Sequence, residues 1–301
     1  MIGILILLIG VIINVALLTL SERKVMGAMQ RRIGPNKVGF LGLLQPFADG
    51  IKLILKEQVI AFGANRFFFL AAPYLFFYLA LLQFMILPLD SSTIIAELLG
   101  SGLLIMVAIS ELSIYGVLYS GWSANSKYPL LGSLRSTAQM ISYSISLSLI
   151  LLTIYLVVGQ IDLLPILNSQ SHLPLFFPLF PIALMFLISA VAECNRSPMD
   201  LPEAESELVS GFMTEHSGVS FAFFFLGEYA NMLFISTIFF LLFFGLSLSL
   251  PFLFLFFWLR ASLPRMRFDQ LLHLGWAHFL PFIIGYILFL PPFLFTFDLL
   301  A

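Results

Sequence analysis

The sequence predicts an all-α, polytopic membrane protein of about eight transmembrane helices, with an interfacial amphipathic helix in its first inside loop. Three observations predict it. The 301 residues are 60% hydrophobic and only 10% charged, whereas a soluble domain carries about 25% charged residues. No water-facing surface can be built from this pool. The apolar stretches are each near the roughly 20 residues that a membrane helix requires. The lysines and arginines fall only in alternate loops between them.

The spans lie near 2–20, 67–88, 98–120, 137–158, 175–193, 218–244, 246–262 and 274–297. The first lacks a basic n-region and a small-residue cleavage site, so it reads as a retained helix rather than a signal peptide, with no Arg/Ser-rich leader before it. Pro73, Pro178, Pro181 and Pro281 fall inside spans, as kinks whose freed carbonyls neighbouring helices satisfy. From Tyr229 to Arg260 there is no charge, and only Gly245 and Pro251 mark a turn. One long tilted helix is the alternative there.

Charge supports the eight-span count. The first loop holds Arg23, Lys24, Arg31, Arg32, Lys37, Lys52, Lys56 and Arg66. The loop after the third span holds Lys127 and Arg135, the loop after the fifth holds Arg196, and the loop after the seventh holds Arg260, Arg265 and Arg267. With eight spans every basic residue shares one face, cytoplasmic or matrix by the positive-inside rule, and both termini lie opposite. With one span fewer, the last three arginines land on the wrong side. The chain therefore reads as a single membrane domain, 1–301, whose loops 21–66, 121–136, 194–217 and 261–273 face one way. It carries no internal repeat, so an inverted-repeat transporter is not supported.

Composition also excludes chemistry. A single cysteine, Cys194, rules out an internal disulfide and a self-contained iron–sulfur cluster, which needs about four ligands. No GxGxxG or Walker sequence marks a nucleotide site. Four scattered histidines lack metal-ligand spacing, so no metal is expected.

Four features remain that can carry function. From Phe47 onward, Phe47, Ile51, Ile54 and Leu55 share one helical face while Asp49, Lys52 and Lys56 share another. This is either a plain membrane-surface helix or the wall of a binding site. The loop AECNRSPMDLPEAESELVSGFMTEH sets Glu193, Asp200, Glu203, Glu205, Glu207 and Glu215 against one base, Arg196, which is expected to be salt-bridged and desolvated. The loop is either solvated or a proton-handling cluster, because close carboxylates share protons. Glu228 and Glu111 sit within spans, where a carboxylate is costly and marks a functional site unless it is a protonated, hydrogen-bonded structural acid. Finally, WLRASLPRMRFDQLLHLGW gathers Arg260, Arg265 and Arg267 with Asp269, as lipid-headgroup anchors or as salt-bridge partners of the acidic loop.

At this point a resemblance emerges. ERKVMGAMQRRIGPNKVG, LLQPFADGIKL, GWSANSKYPLLGSLRSTAQMISY, AECNRSPMDLPEAESELVSGF, GEYANM and WLRASLPRMRFDQLLHLGW resemble, in order, the signature stretches of the subunit 1 family of the proton-pumping NADH:ubiquinone oxidoreductase, respiratory complex I. The likeness extends over nearly the whole chain. The missing leader and abundant phenylalanine resemble a mitochondrially encoded copy, a multi-pass protein of the inner membrane with its basic loops on the matrix side.

The resemblance implies a role. Members of that family anchor the redox arm and form, with neighbours, a narrow chamber for the ubiquinone ring and tail. It implies that Arg23, Asp49, Lys52, Tyr229, Arg260, Arg265 and Arg267 line the chamber, which moves the Phe47–Lys56 helix toward a binding-site wall. It implies that Glu22, Glu193, Glu203, Glu205, Glu207, Glu215 and Glu228 form a proton path. Ubiquinone is then the substrate, and flavin and iron–sulfur clusters belong to partner subunits. The partners implied are the quinone-module subunits of the redox arm, the small membrane subunits beside the antiporter-like arm, and lipids, with no nucleic acid. The chain has no redox centre of its own and acts only as part of the oxidoreductase.

One departure stands out. The family run ISYE is ISYS here, so Ser144 stands where an acid is usual, while Glu111 stands where the family has a small or neutral residue. Both lie ten residues from the shared loop, roughly 15 Å deep at about 1.5 Å per residue. The expectation is that Glu111 points into the bundle toward Ser144 or Tyr143 and replaces the missing carboxylate. Two competing readings are the membrane subunit of an energy-converting hydrogenase, where no quinone binds, and a stand-alone transporter. The full ERK…GPN stretch weighs against the first. The partly apolar inside loops, which suit a protein partner, weigh against the second.

Overall fold

The computed structural model describes residues 2–88, 100–170, 173–200, 211–245 and 250–296. Among these the regular structure is helical. In chain order it comprises α1 (Ile2–Met29), α2 (Gln45–Leu55), α3 (Arg66–Gln83), α4 (Gly102–Ser123), α5 (Lys127–Val158), α6 (Leu163–Ser169), α7 (Phe180–Glu193), α8 (Val219–Phe244), α9 (Leu250–Ser262), α10 (Phe268–His273), a π-helical turn (Leu274–Phe279) and α11 (Leu280–Thr296).

Six helical stretches are long and apolar enough to cross a membrane, namely Ile6–Met29, Arg66–Ile86, Gly102–Ser123, Lys127–Val158, Val219–Phe244 and Phe268–Thr296. Phe180–Glu193 and Leu250–Ser262 are shorter apolar helices. Each overlaps one expected span, and the chain is an all-α, multi-pass membrane protein. Between the sixth and seventh spans the chain does turn: α8 ends on Gly245, whose φ of 66° is a left-handed conformation that suits glycine. Pro251 follows at the second position of α9, inside a helical first turn that tolerates it. Residues 246–249 lie outside the described residues.

Two expected limits move outward. α1 runs through Ser21–Met29 because nothing in SERKVMGAM breaks a helix; its 28 residues span about 42 Å, well beyond a hydrocarbon core of about 30 Å. The segment 127–136, expected as loop, is the first part of α5. Only a short turn separates it from α4, through Asn125 at φ 50°. Gly121 permits this close crossing, since a Cβ there would collide with the Ser133 side chain. α2 forms where the amphipathic pattern places it, and Phe47, Ile51, Ile54 and Leu55 are all exposed on it.

Lipid tails are as apolar as leucine, so these helices associate through van der Waals packing and small residues rather than water exclusion. The main core joins α5, α7, α8 and α9. Phe239 of α8 stacks on Phe252 of α9 at 4.3 Å. Buried serines along α4 and α5 satisfy their hydroxyls within their own helix, as Ser113 does on Ser110 O and Ser146 on Tyr143 O.

Candidate functional site

Where α1, α8 and α9 converge with the chain after α7, four polar side chains meet. Glu22 projects from the extended end of α1 and is only 2% exposed. It accepts a hydrogen bond from the Tyr229 hydroxyl of α8 and pairs with Arg260, in the last turn of α9. Arg196 Nη1 stands 3.8 Å from the same carboxylate, and the Arg196 guanidinium lies 4.2 Å over the Tyr229 ring. A buried carboxylate thus serves two guanidinium groups and a phenol. Buried charges persist only with such partners, and the aromatic face adds a cation–π contact. Arg196 is salt-bridged and buried, as expected. Among the described residues its ion-pair partner is Glu22, on α1.

Two further pairs fasten this region. Arg265 Nη2 is 3.2 Å from Asp200, and Met266 N donates to Pro198 O at 2.9 Å. They tie the loop after α9 to the start of the acidic one. Arg23 Nη1 is 2.8 Å from Asp49, which also accepts from Gln45 Nε2 at 3.1 Å. α1 is thereby tied to α2, with Lys52 exposed on α2. Arg267 stands apart, exposed, 3.9 Å from Asp269.

Beside the cluster, α1, α8 and α9, with Phe84 and Leu87 after α3, border a partly open apolar cavity of about 820 Å³, lined by Val11, Ser21, Val25, Leu233, Leu253 and Phe257 among others. Ser21 and Val25 bracket the turn of α1 that carries Glu22. The cavity therefore runs up to the level of the charged cluster.

A second, small cavity lies among α3, α4, α5, α7 and α8. Its volume is about 50 Å³, and Gln83, Ser110, Ser113, Ser144, Glu193 and Asn231 supply its polar lining. Glu193 Oε2 and Asn231 Oδ1 are buried without a hydrogen-bond partner among the described residues. A water occupies roughly 10–15 Å³ by this measure, so several fit. Cys194 follows Glu193 in the chain and is buried. Burial and then Glu193 push its thiol up, Arg196 opposes them, and Glu228 adds to the rise. Glu228 and Arg196 are themselves buried.

The expected proton-path residues divide accordingly. Glu22 is in the cluster, Glu193 at the small cavity and Glu228 close by. Glu215 is half-buried and accepts from Ser126 Oγ at 3.3 Å. Glu203, Glu205 and Glu207 lie outside the described residues. Glu111 departs from expectation. Ser144 does line the cavity, but Glu111 is exposed and does not. On α4 the neighbouring Ser110 and Ser113 face the cavity, and one residue from Ser110 turns Glu111 about 100° away. Its charge nonetheless bears on Glu193. Sequence reading missed Gln83, Ser110, Ser113 and Asn231. The i, i+3 serine pair on α4 was the available signal, and Asn231 stands inside GEYANM.

Comparison with known proteins agrees with this architecture. A family model described as NADH dehydrogenase matches residues 2–291. NADH-ubiquinone oxidoreductase chain 1 of Hyaloraphidium curvatum is 54% identical over 295 residues, covering 98% of this chain and 99% of its own. The corresponding chain 1 of Metridium senile is 47% identical over 310 residues, covering 97% and 92%. A bacterial relative, an NADH-quinone oxidoreductase subunit of Paramagnetospirillum magneticum, is 47% identical over 290 residues, covering 90% and 85%. With the match spanning nearly every helix described above, the chain belongs to the NADH dehydrogenase family.

Proposed function

We propose that this chain is the complex I membrane subunit that forms the membrane wall of a ubiquinone chamber and links quinone reduction to proton movement. The observation that carries the reading is the apolar cavity of about 820 Å³ that reaches the level of the Glu22–Arg196–Tyr229–Arg260 cluster. An isoprenoid tail needs a dry apolar channel, and a quinone ring needs a few fixed polar groups at its end. Arg23, Asp49 and Lys52 add polar groups where α1 meets α2, and Arg265 where the last loop meets the acidic one, with Arg267 exposed beyond it. The exposed apolar face of α2 suits the redox arm or the membrane surface. The relatives named as ubiquinone oxidoreductases supply the substrate class. Electrons come from flavin and iron–sulfur clusters held by partner subunits, and the basic loops face the matrix in the mitochondrial inner membrane.

Reduction consumes two electrons and two protons beside Glu22 and Arg196. Altering charge there shifts proton affinity in neighbouring acids, about 1.4 kcal/mol for each tenfold change. Glu228 and Glu193, with waters on the orphaned Glu193 and Asn231 oxygens, continue the route inward. Ser144 serves as a hydrogen-bonding lining group rather than an acid. Glu111, exposed on α4, is where the charge signal leaves the chain toward a neighbouring membrane subunit. The loop acids Glu203, Glu205, Glu207 and Glu215 load the route from the matrix side.

Photoaffinity labelling of the assembled oxidoreductase with an azido-ubiquinone tests the chamber. Label is expected on the α1, α8 and α9 peptides, displaced by excess quinone. Displaceable label confined to other subunits would overturn the reading.

A further inference from the structure

α10 enters the last span through the π-helical turn Leu274–Phe279, and Leu280 donates its backbone N–H to Gly275 O, five residues back. In a regular α-helix each residue turns about 100°, so residues five apart diverge by about 140°. His273 and His278 are five apart, which is why their spacing reads as unsuited to a shared ligand. The i→i+5 turn changes this, because it stacks residues five apart on one face. The two imidazole rings accordingly lie 5.2 Å apart between centroids, with planes at 73°. Both are exposed. With Asp269, Gln270 and Leu274 they line a recess of about 360 Å³.

We propose that His273 and His278 form a binding site for a borderline-soft divalent metal ion of the zinc class. The dimensions support it. A zinc–nitrogen bond of about 2.0–2.1 Å plus roughly 1.2 Å from nitrogen to ring centre puts each centroid about 3.2 Å from the metal. Two such rings at a tetrahedral angle stand about 5.2 Å apart, the separation observed. Asp269 on the rim makes the recess favourable to a cation, although it also pairs with Arg267 at 3.9 Å. Among the described residues no group of three His, Cys, Asp or Glu can hold a metal. The site thus supplies two nitrogens, and water completes the coordination.

Its position gives such an ion leverage. Trp276 Nε1 donates to Ser142 Oγ at 3.2 Å, and Tyr143 donates to Leu271 O at 2.9 Å. Ser142 and Tyr143 adjoin Ser144 on the wall of the small cavity. A metal held by both histidines favours the π form of the turn by mass action and thereby fixes this stretch of α5. This effect on turnover rests on the proposed function; metal binding does not.

The test uses the chelator-washed, assembled oxidoreductase and Zn²⁺ alone. At low micromolar Zn²⁺ the native complex is expected to bind one more equivalent than complexes carrying His273→Asn or His278→Asn, and its quinone reduction to be inhibited at concentrations about tenfold lower. Equal binding overturns the site. Unequal binding with equal inhibition overturns its link to α5. Should neither variant assemble, histidine modification by diethylpyrocarbonate on the native complex decides: Zn²⁺ is expected to protect His273 and His278 together, and protection of neither overturns the site.

Discussion

The charged cluster at Glu22 and the small cavity at Glu193 hold the same functional group in opposite circumstances. Glu22 is surrounded by two guanidinium groups and a phenolic hydroxyl, each within contact. Glu193 faces hydroxyls that are spent on their own helix, such as Ser144 on Ile141 O and Ser113 on Ser110 O. One of its oxygens is left without a partner among the described residues. A carboxylate held by cations stays ionised and acts as a fixed charge. A carboxylate without cations, beside another acid, can exchange a proton. In the reading proposed here, the first region senses the quinone and the second answers.

The largest test of this contrast is Glu22→Gln. It removes the buried carboxylate that pairs with both Arg196 and Arg260. Breaking a buried pair this way costs about 3–5 kcal/mol. The expected result is a sharply reduced yield of assembled oxidoreductase on native gels, with quinone reduction falling in the complexes that remain. A variant that assembles and turns over normally would show the cluster to be dispensable and dissolve the contrast.

Next in size is Glu193→Gln, compared with Glu111→Gln. The first keeps shape and removes an exchangeable proton, so quinone reduction should continue while proton translocation per electron pair drops several-fold. Glu111 is exposed and touches the route only through its charge on Glu193. Its substitution should lower translocation less than Glu193→Gln does. Adding Ser144→Glu to Glu111→Gln places a carboxylate on the cavity wall and should recover part of the loss. Proton-to-electron ratios in proteoliposomes measure all three. If Glu111→Gln is the more severe, the exposed acid rather than the cavity carries the route.

Much of this was legible in advance, and the reasons differ by residue. The break after Phe244 was readable because charge distribution and Gly245 point the same way. α2 was readable because its polar and apolar faces repeat at 3.6 residues. The pairing of Arg196 with Glu22 was not, because it joins residues 174 positions apart and local composition offered six nearer acids. The side that Glu111 faces was not, because depth along a helix is set by residue count while direction is set by packing. The His273–His278 contact was hidden for another reason: helical periodicity assumes an α turn, and here the turn is π.

The smallest expected effect concerns His216, which belongs to neither region and isolates what burial alone does. It is 5% exposed, stacked on Phe69 at 4.1 Å and edge-on to Phe224 at 5.1 Å. Neither ring nitrogen has a hydrogen-bond partner among the described residues. Burial pushes its pKa down to about 4 from an ordinary 6.5. The folded state therefore holds this imidazole neutral, while the unfolded chain binds a proton below about pH 6.5. Because the unfolded state binds more protons between pH 6.5 and 4, stability is fully present above 6.5 and is lost as pH falls through that window. The loss reaches on the order of 3 kcal/mol near pH 4. His216→Phe keeps the ring stack and removes the titration. At pH 7.5 the thermal inactivation midpoint of the detergent-solubilised complex should change little. At pH 5 the variant should outlast the native protein. An unaltered slope of midpoint against pH would mean that other groups govern the acid side, and that burial at His216 does not.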